Sequence, residues 1–346
     1  MLFAYGGGSI KQTELYDRTI ALLKETEKEV IEFGGIMPNP TYSKVQEGAR
    51  IVRDQQIDFI LAVGGGSVSD CCKIVSAQAL LDEDIWAYQN QKHLMPSQFV
   101  PMGVVVTASG TGSEENNGAV ITNEELHIKK DLWGPYPEFS ILNPDLTKTV
   151  PMKQVISGAF DTLSHCMETY FGRPYEVNVS DEMNEAVQRN TIRNIRRIAK
   201  NPDDDHARSE LMWTSAMAEN SILKLGKQTD FQCHMIEHQL GAYTDCNHGQ
   251  GLAVLHPVLY RYIYPFAKEK FNRWAQEVWL VQDAEEAIDA LENLIREVGL
   301  PTRLSEMNIS LDEDTMWAIA ESTIIRPGCC KQLKPDEIVE ILKECK

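Results

Sequence analysis

Along the first 150 residues the apolar positions follow two rhythms in turn. Short runs such as "LFAY" (2–5), "EVIEFGGI" (29–36), "DFILAV" (58–63) and "PMGVVVTAS" (101–109) are apolar or rich in β-branched residues, and each predicts a strand. Between them, "KQTELYDRTIALLKETEK" (11–28), "TYSKVQEGARIVRDQQ" (41–56) and "VSDCCKIVSAQALL" (68–81) repeat their apolar residues at helical spacing. Strands alternating with helices predict a parallel sheet covered on both faces, a Rossmann-like α/β unit over residues 1–150. After Pro151 the strand rhythm fades. "EMNEAVQRNTIRNIRRIAKN" (182–201), "HARSELMWTSAMAENSIL" (206–223) and "AEEAIDALENLIREVGL" (284–300) carry long helical periods, so residues 151–346 are expected to be all-helical. "PYPEFSILNPDLTKTVP" (135–151) is the expected crossing between the two, and "NPDDDHARSE" (201–210) a solvated loop with an acidic helix start.

Glycine-rich turns close three of the strands. "GGGS" (64–67) stands between a buried strand and a helix that carries Asp70 in its first turns, where free backbone N–H groups and the helix dipole favour an anion. The spacing matches neither GxGxxG nor the P-loop, and such a turn is equally compatible with a plain strand-to-helix connection. "TASGTGSEENN" (107–117) adds the hydroxyls of Thr107, Ser109, Thr111 and Ser113 after another strand, and two such turns in one α/β unit point to a dinucleotide. At the third, "YGGGSIK" (5–11), an acid that would hold an adenosine ribose is replaced by glycines, Ser9 and Lys11, which leaves room for a 2′-phosphate.

Composition narrows the chemistry. With 33 Lys and Arg against 51 Asp and Glu the formal net charge is −18, unsuited to gripping a polyanion, so no nucleic-acid partner is expected. No run approaches the roughly 18 apolar residues of a spanning helix. The opening "MLFAYGGGSIK" lacks the basic region, apolar core and cleavage site of a secretory signal, and a cytoplasmic location is the expectation. The eight cysteines form no CxxC pair and read as reduced, small hydrophobes.

"QCHMIEHQLGAYTDCNHG" (232–249) gathers His234, His238 and His248 from a chain with only eight histidines. Upstream, "GAFDTLSHCMETYF" (158–171) sets Asp161 and His165 four apart, about 6 Å at Cβ on one helix face. One carboxylate and several imidazoles suit a divalent metal such as Fe²⁺ or Zn²⁺. Five candidates exceed four ligands, so one is expected to do chemistry instead; a surface Asp–His pair is the bland reading of 161 and 165. His93, His127 and His206 read as ordinary histidines, and His256 beside Pro257 stays ambiguous.

The ordered set GGGSxxD, TASGTGSE, DTLSH and "HMIEHQLGAYTDCNHGQGLAVLHP" resembles the iron-containing, or group III, alcohol dehydrogenases, in particular their butanol dehydrogenase and aldehyde reductase branch. The resemblance implies a dinucleotide-binding domain followed by a helical metal-binding catalytic domain. It implies Asp161, His165, His234 and His248 as metal ligands and His238 near the nicotinamide. It assigns the cofactor to Gly6, Gly7, Ser9, Gly65, Gly66, Ser67, Asp70, Thr107, Ser109, Thr111, Ser113, Lys129 and Leu146. The implied reaction passes hydride between NADP(H), expected over NAD(H), and a primary alcohol or aldehyde such as butanol or butanal, with the metal easing loss of the alcohol proton. A homodimer is expected. Relative to the family the chain lacks an N-terminal segment with a β-hairpin at the sheet edge, so an exposed edge and a weakened subunit contact are expected. The competing expectations are a metal- and nucleotide-dependent lyase or cyclase like the dehydroquinate synthases, and an inactive metal-binding homologue. The lyase would need basic residues for substrate phosphate, and only Arg173 lies near the Asp161 segment.

Overall fold

The computed structural model describes residues 1–346 and divides into two compact units, Met1–Val150 and Pro151–Lys346. In the first, strands β1 (Leu2–Gly6), β2 (Ile31–Ile36), β3 (Ile60–Gly64), β4 (Met102–Val106) and β7 (Phe139–Ile141) form one parallel sheet in the order β2-β1-β3-β4-β7. Helices α1 (Glu14–Glu25), α2 (Tyr42–Asp54), α3 (Gly66–Ala79) and α4 (Ile85–Asn90) fall between the strands. Alternation explains the double covering: Phe3, Tyr5, Leu61 and Val63 build one buried cluster with Ile10, while Leu2, Ala4, Ile60 and Ala62 between them are buried too. A strand with both faces covered must be apolar at every position, which is the rhythm of β1 and β3, whereas β2 at the sheet edge leaves Glu32 and Gly35 exposed.

Two elements depart from expectation. Strands β5 (Gly118–Asn123) and β6 (Ile128–Trp133) form a separate antiparallel hairpin. The stretch expected to be a crossing contains β7, which adds to the sheet beside β4 and leaves Phe139 and Ile141 45% and 47% exposed at its edge. Phe139 stacks on Phe59 with ring centroids 6.1 Å apart.

The second unit is helical throughout: α5 (Met152–Tyr170), α6 (Val179–Lys200), α7 (Asp205–Glu219), α8 (Gln232–Thr244), α9 (His248–Ile263), α10 (Lys268–Trp274), α11 (Ala284–Glu297), α12 (Glu313–Ser322) and α13 (Pro335–Glu344). Helix α5 is buried from Ile156 to its end, so its polar residues as well as its apolar ones face protein. Phe171, Tyr260, Phe271 and Trp274 pack edge-on and stacked around it, Phe171 and Phe271 at 4.0 Å. Full burial of each such side chain is worth about 1.5–3 kcal/mol. Asp181 is buried with two lysines, Lys227 and Lys270, the second at 2.8 Å. No helix is long and apolar enough to cross a membrane.

Candidate functional site

In the first unit the glycine turns follow β1, β3 and β4 directly. Gly65 caps α3 without a side chain of its own, and Gly66 is the first helical residue. The turns after β3 and β4 are stitched together where the Thr107 N–H donates to the Gly64 carbonyl at 2.9 Å. They also lie too close for side chains: a Cβ on Gly66 would fall 2.3 Å from Thr111 Oγ1, and one on Gly65 3.2 Å from the Ala108 Cβ. A Cβ on Gly7 would meet nothing within 4 Å, and Ser9 is exposed at the start of a short 3₁₀ turn. These turns present backbone amides, the hydroxyls of Thr107, Ser109 and Thr111, and open space, the make-up of a phosphate cradle.

Asp70 and Ser113 sit differently from the other cofactor candidates. The Asp70 carboxylate accepts from the Ser113 hydroxyl at 2.5 Å and from the Val120 N–H at 2.9 Å, and Lys73 donates to Ser113 at 2.9 Å. They brace the turn after β4 and the β5–β6 hairpin against α3. Lys129 is buried on β6 and Leu146 half-buried in the turn at Pro144–Thr147, both away from the glycine turns in sequence. Lys11, expected as a nearby cation for a phosphate, shares a carboxylate: its Nζ lies 3.5 Å from Glu32, which also accepts from the Tyr5 and Tyr16 hydroxyls at 2.7 and 2.6 Å.

The second unit brings the histidines together with Asp161. Asp161 and His165 lie one turn apart on α5, His234 and His238 one turn apart on α8, and His248 is the first residue of α9, behind an Asn247 cap whose side chain accepts the Gln250 N–H. Nε2 of His234 and Nε2 of His248 each approach the same Asp161 Oδ1 to 3.4 Å. A donor atom from each of these three residues lies within 4.8 Å of the other two, close enough for a single cation to touch all three. His165 is set back: its ring stacks on His234 at 4.5 Å, and Nδ1 is 3.7 Å from Asp161 Oδ1 with no hydrogen bond. His238 is also at hand, grouped with His248 and Glu237, its ring 5.7 Å from that of His248.

Electrostatics keep the cluster anionic at its centre. Burial opposes ionisation of Asp161, but His165, His248 and His234 around it win and hold its carboxyl well below the ordinary range. Burial likewise disfavours a charged His234, yet Glu168 and then Asp161 push it up to about 10.

Three residues that the sequence reading passed over, Glu168, Glu237 and Ser164, complete the arrangement. Glu168 meets His234 Nδ1 and Glu237 meets His248 Nδ1. Ser164 bonds His256 Nε2 at 2.6 Å and reaches His234 Nδ1 and Glu168 at 3.4 Å, which resolves His256 as a buried histidine bonded to Ser164 and not a member of the central set. A signal existed for Glu168, which follows Asp161 by seven residues and so shares its helix face.

Comparison with known proteins agrees with both halves. The family described as iron-containing alcohol dehydrogenase matches residues 1–144, and the Fe-containing alcohol dehydrogenase family, C-terminal, matches residues 155–345. NADH-dependent butanol dehydrogenase A of Clostridium acetobutylicum is 36% identical over 359 residues, spanning 99% of this chain and 91% of its own. NADPH-dependent aldehyde reductase YqhD of Escherichia coli is 33% identical over 319 residues, spanning 89% and 82%. The crystal structure of NADH-dependent butanol dehydrogenase A from Thermotoga maritima superposes with a TM-score of 0.94 at 33% identity, over 99% of this chain and 90% of that one. A parallel sheet ending in glycine turns, a helical unit holding Asp161 among imidazoles, and family matches over both parts establish that this chain belongs to the iron-containing alcohol dehydrogenases and is an oxidoreductase.

Proposed function

We propose that this protein passes hydride between NADP(H) and a small primary alcohol or its aldehyde, of the size of butanol and butanal, with aldehyde reduction the favoured direction. The observation that carries the reading is the convergence of two imidazole Nε2 atoms on one buried carboxylate oxygen. Three imidazoles and one carboxylate, with His165 Nδ1 buried and lacking a hydrogen bond, are a donor set fitted to one divalent ion, Fe²⁺ or Zn²⁺. Asp161, His165, His234 and His248 would hold it. Such an ion supplies the Lewis acidity that polarises an aldehyde carbonyl or eases loss of an alcohol proton. His238, beside His248 and outside the converging set, is the group we assign to proton exchange with solvent. Phe231 lies 5.1 Å from the His234 ring and 6.0 Å from His165, an apolar wall suited to a short alkyl chain.

The nucleotide is assigned to the glycine turns: backbone amides at Gly65 and Gly66, hydroxyls at Ser67, Thr107, Ser109 and Thr111, and the open end of β1 at Gly6, Gly7 and Ser9. Asp70 and Ser113 hold the turns in place from behind. Relatives named for NADH and for NADPH both match this chain. The preference for NADP(H) rests on Gly6, which can neither bond a ribose hydroxyl nor repel a phosphate, and on the exposed Ser9 hydroxyl. Lys11 contributes less than its charge suggests, because Glu32 shares it. By the same resemblance the working form is a cytoplasmic homodimer. Spectrophotometric oxidation of NADPH and NADH with butanal, on protein stripped of metal and again after adding Fe²⁺ or Zn²⁺, tests the reading: metal-dependent turnover with NADPH ahead is expected, and turnover indifferent to metal or clearly better with NADH contradicts it.

A further inference from the structure

We propose that Glu168 and Glu237 are positioning residues that fix the tautomer and aim of His234 and His248, so that metal affinity is set by these two carboxylates as well as by the ligands. The proposal rests on reading Asp161, His234 and His248 as ligands. An imidazole binds a metal through a lone pair on one nitrogen, and its other nitrogen must then carry the proton. Here the two rings face Asp161 through Nε2, and each Nδ1 meets a carboxylate oxygen on its far side. Both glutamates are 0% exposed. Two buried carboxylates are costly unless their charge is used by donors, and these donors are known.

Glu168 does two jobs with its two oxygens. While Oε2 meets the His234 ring, Oε1 accepts the backbone N–H groups of Cys233 at 2.6 Å and His234 at 3.3 Å. Those are first-turn amides of α8, whose N-cap residue Phe231 makes no side-chain cap of its own. One carboxylate from α5 thus caps the helix that carries His234 and holds the ring of His234 as well. Glu237 works between helices: it projects from α8 and meets His248 at the start of α9. Gly251, within the first turn of α9, leaves it the room, since a Cβ there would stand 2.9 Å from Glu237 Cγ and 3.1 Å from Oε1. His165 provides the contrast within the same cluster, its Nδ1 lacking any hydrogen bond.

Zn²⁺ affinity of the full chain, read by competition with a chromophoric chelator, tests the proposal on Glu168→Gln, Glu237→Gln and Gly251→Ala. Each glutamine keeps the shape and removes the charge, and Gly251→Ala keeps the charge and displaces it. Each is expected to weaken Zn²⁺ binding about 10- to 100-fold, with circular dichroism and melting of the metal-free protein unchanged for Glu237→Gln. ¹⁵N-edited NMR of the Zn²⁺-loaded protein should show the far-downfield Nδ1 protons of His234 and His248, each moving upfield only in the variant of its own glutamate, a readout that a general loss of packing would not give. Affinity within twofold of the unmutated protein in both glutamine variants, while Asp161→Ala abolishes uptake, overturns the positioning role alone. No Zn²⁺ uptake by the unmutated protein overturns the ligand reading and this proposal together.

Discussion

The glycine turns of the first unit and the histidine cluster of the second are built on opposite plans. The turns work by omission: Gly66 is bare because the Thr111 side chain already fills the place of a Cβ, Gly65 stands close against Ala108, and a Cβ on Gly7 would meet open space. The groups offered are backbone amides and hydroxyls, which carry no net charge and do not change with pH. The cluster works by crowding, with Asp161, Glu168, Glu237, His234 and His238 all buried and each in contact with another charged or titratable group. A ligand with its own charges, such as a pyrophosphate, needs only a preformed dipolar cradle. A bare cation needs anions around it, and these are affordable in the interior only as a network.

The comparison breaks first if the two sites are not separable. Asp161→Ala is expected to lower metal affinity by more than the 10- to 100-fold typical of an outer carboxylate and to remove turnover, while NADPH binding followed by fluorescence is unchanged; parallel loss of both would tie the cradle to the cluster. Gly66→Ala is the converse experiment. Its new methyl meets the Thr111 side chain at 2.3–2.9 Å, so about 1–3 kcal/mol of stability should go by overpacking, with weaker NADPH binding and full metal content. Normal NADPH affinity in that variant would remove the α3 turn from the cradle.

Two smaller effects sharpen the contrast. Gly6→Asp places a carboxylate at the end of β1 and should move preference toward NADH by about tenfold, or 1.4 kcal/mol, mostly through the Michaelis constant for NADPH; an unchanged ratio of catalytic efficiencies would take Gly6 out of coenzyme choice. The smallest concerns Glu114, the buried acid of the turn after β4. Burial pushes its carboxyl up to about 7, and its Oε1 has no hydrogen-bond partner. The folded protein therefore keeps this proton while the unfolded chain releases it near 4.5, so the stability Glu114 contributes is full below 4.5 and is lost as pH rises through 7. Glu114→Gln should melt with the unmutated protein at pH 4.5 and a few degrees above it at pH 8. A gain at pH 4.5 equal to that at pH 8 would mean that ionisation is not the cause.

Legibility in the sequence followed the same division. Strands β1, β3 and β4 were readable because nearly every residue is buried and apolar, and helices α1 and α2 because their apolar residues recur at helical spacing; β2, with Glu32 and Gly35 exposed, was marked only by its apolar residues between turns. The hairpin β5–β6 was not, because only alternate residues of β5 are buried and the polar turn around His127 reads as loop. Short β7 was hidden among prolines that mark a crossing. In the cluster the i, i+4 pairs Asp161/His165 and His234/His238 followed from helical spacing alone. That His248 joins His234 across two helices, and that Glu237 reaches His248 at the start of the next helix, depends on how α8 packs against α9. Lys11 shows what spacing leaves out: a cation beside glycines in the sequence is shared with Glu32 from the neighbouring strand.

Anomalous diffraction at the iron edge, from crystals of the protein loaded anaerobically with Fe²⁺, reaches the central claim most directly. The account predicts a single peak per chain bounded by Asp161 Oδ1 and the Nε2 atoms of His234 and His248, with His165 turned in as the fourth ligand. A peak elsewhere in the chain, or none in protein that reduces butanal, would contradict it.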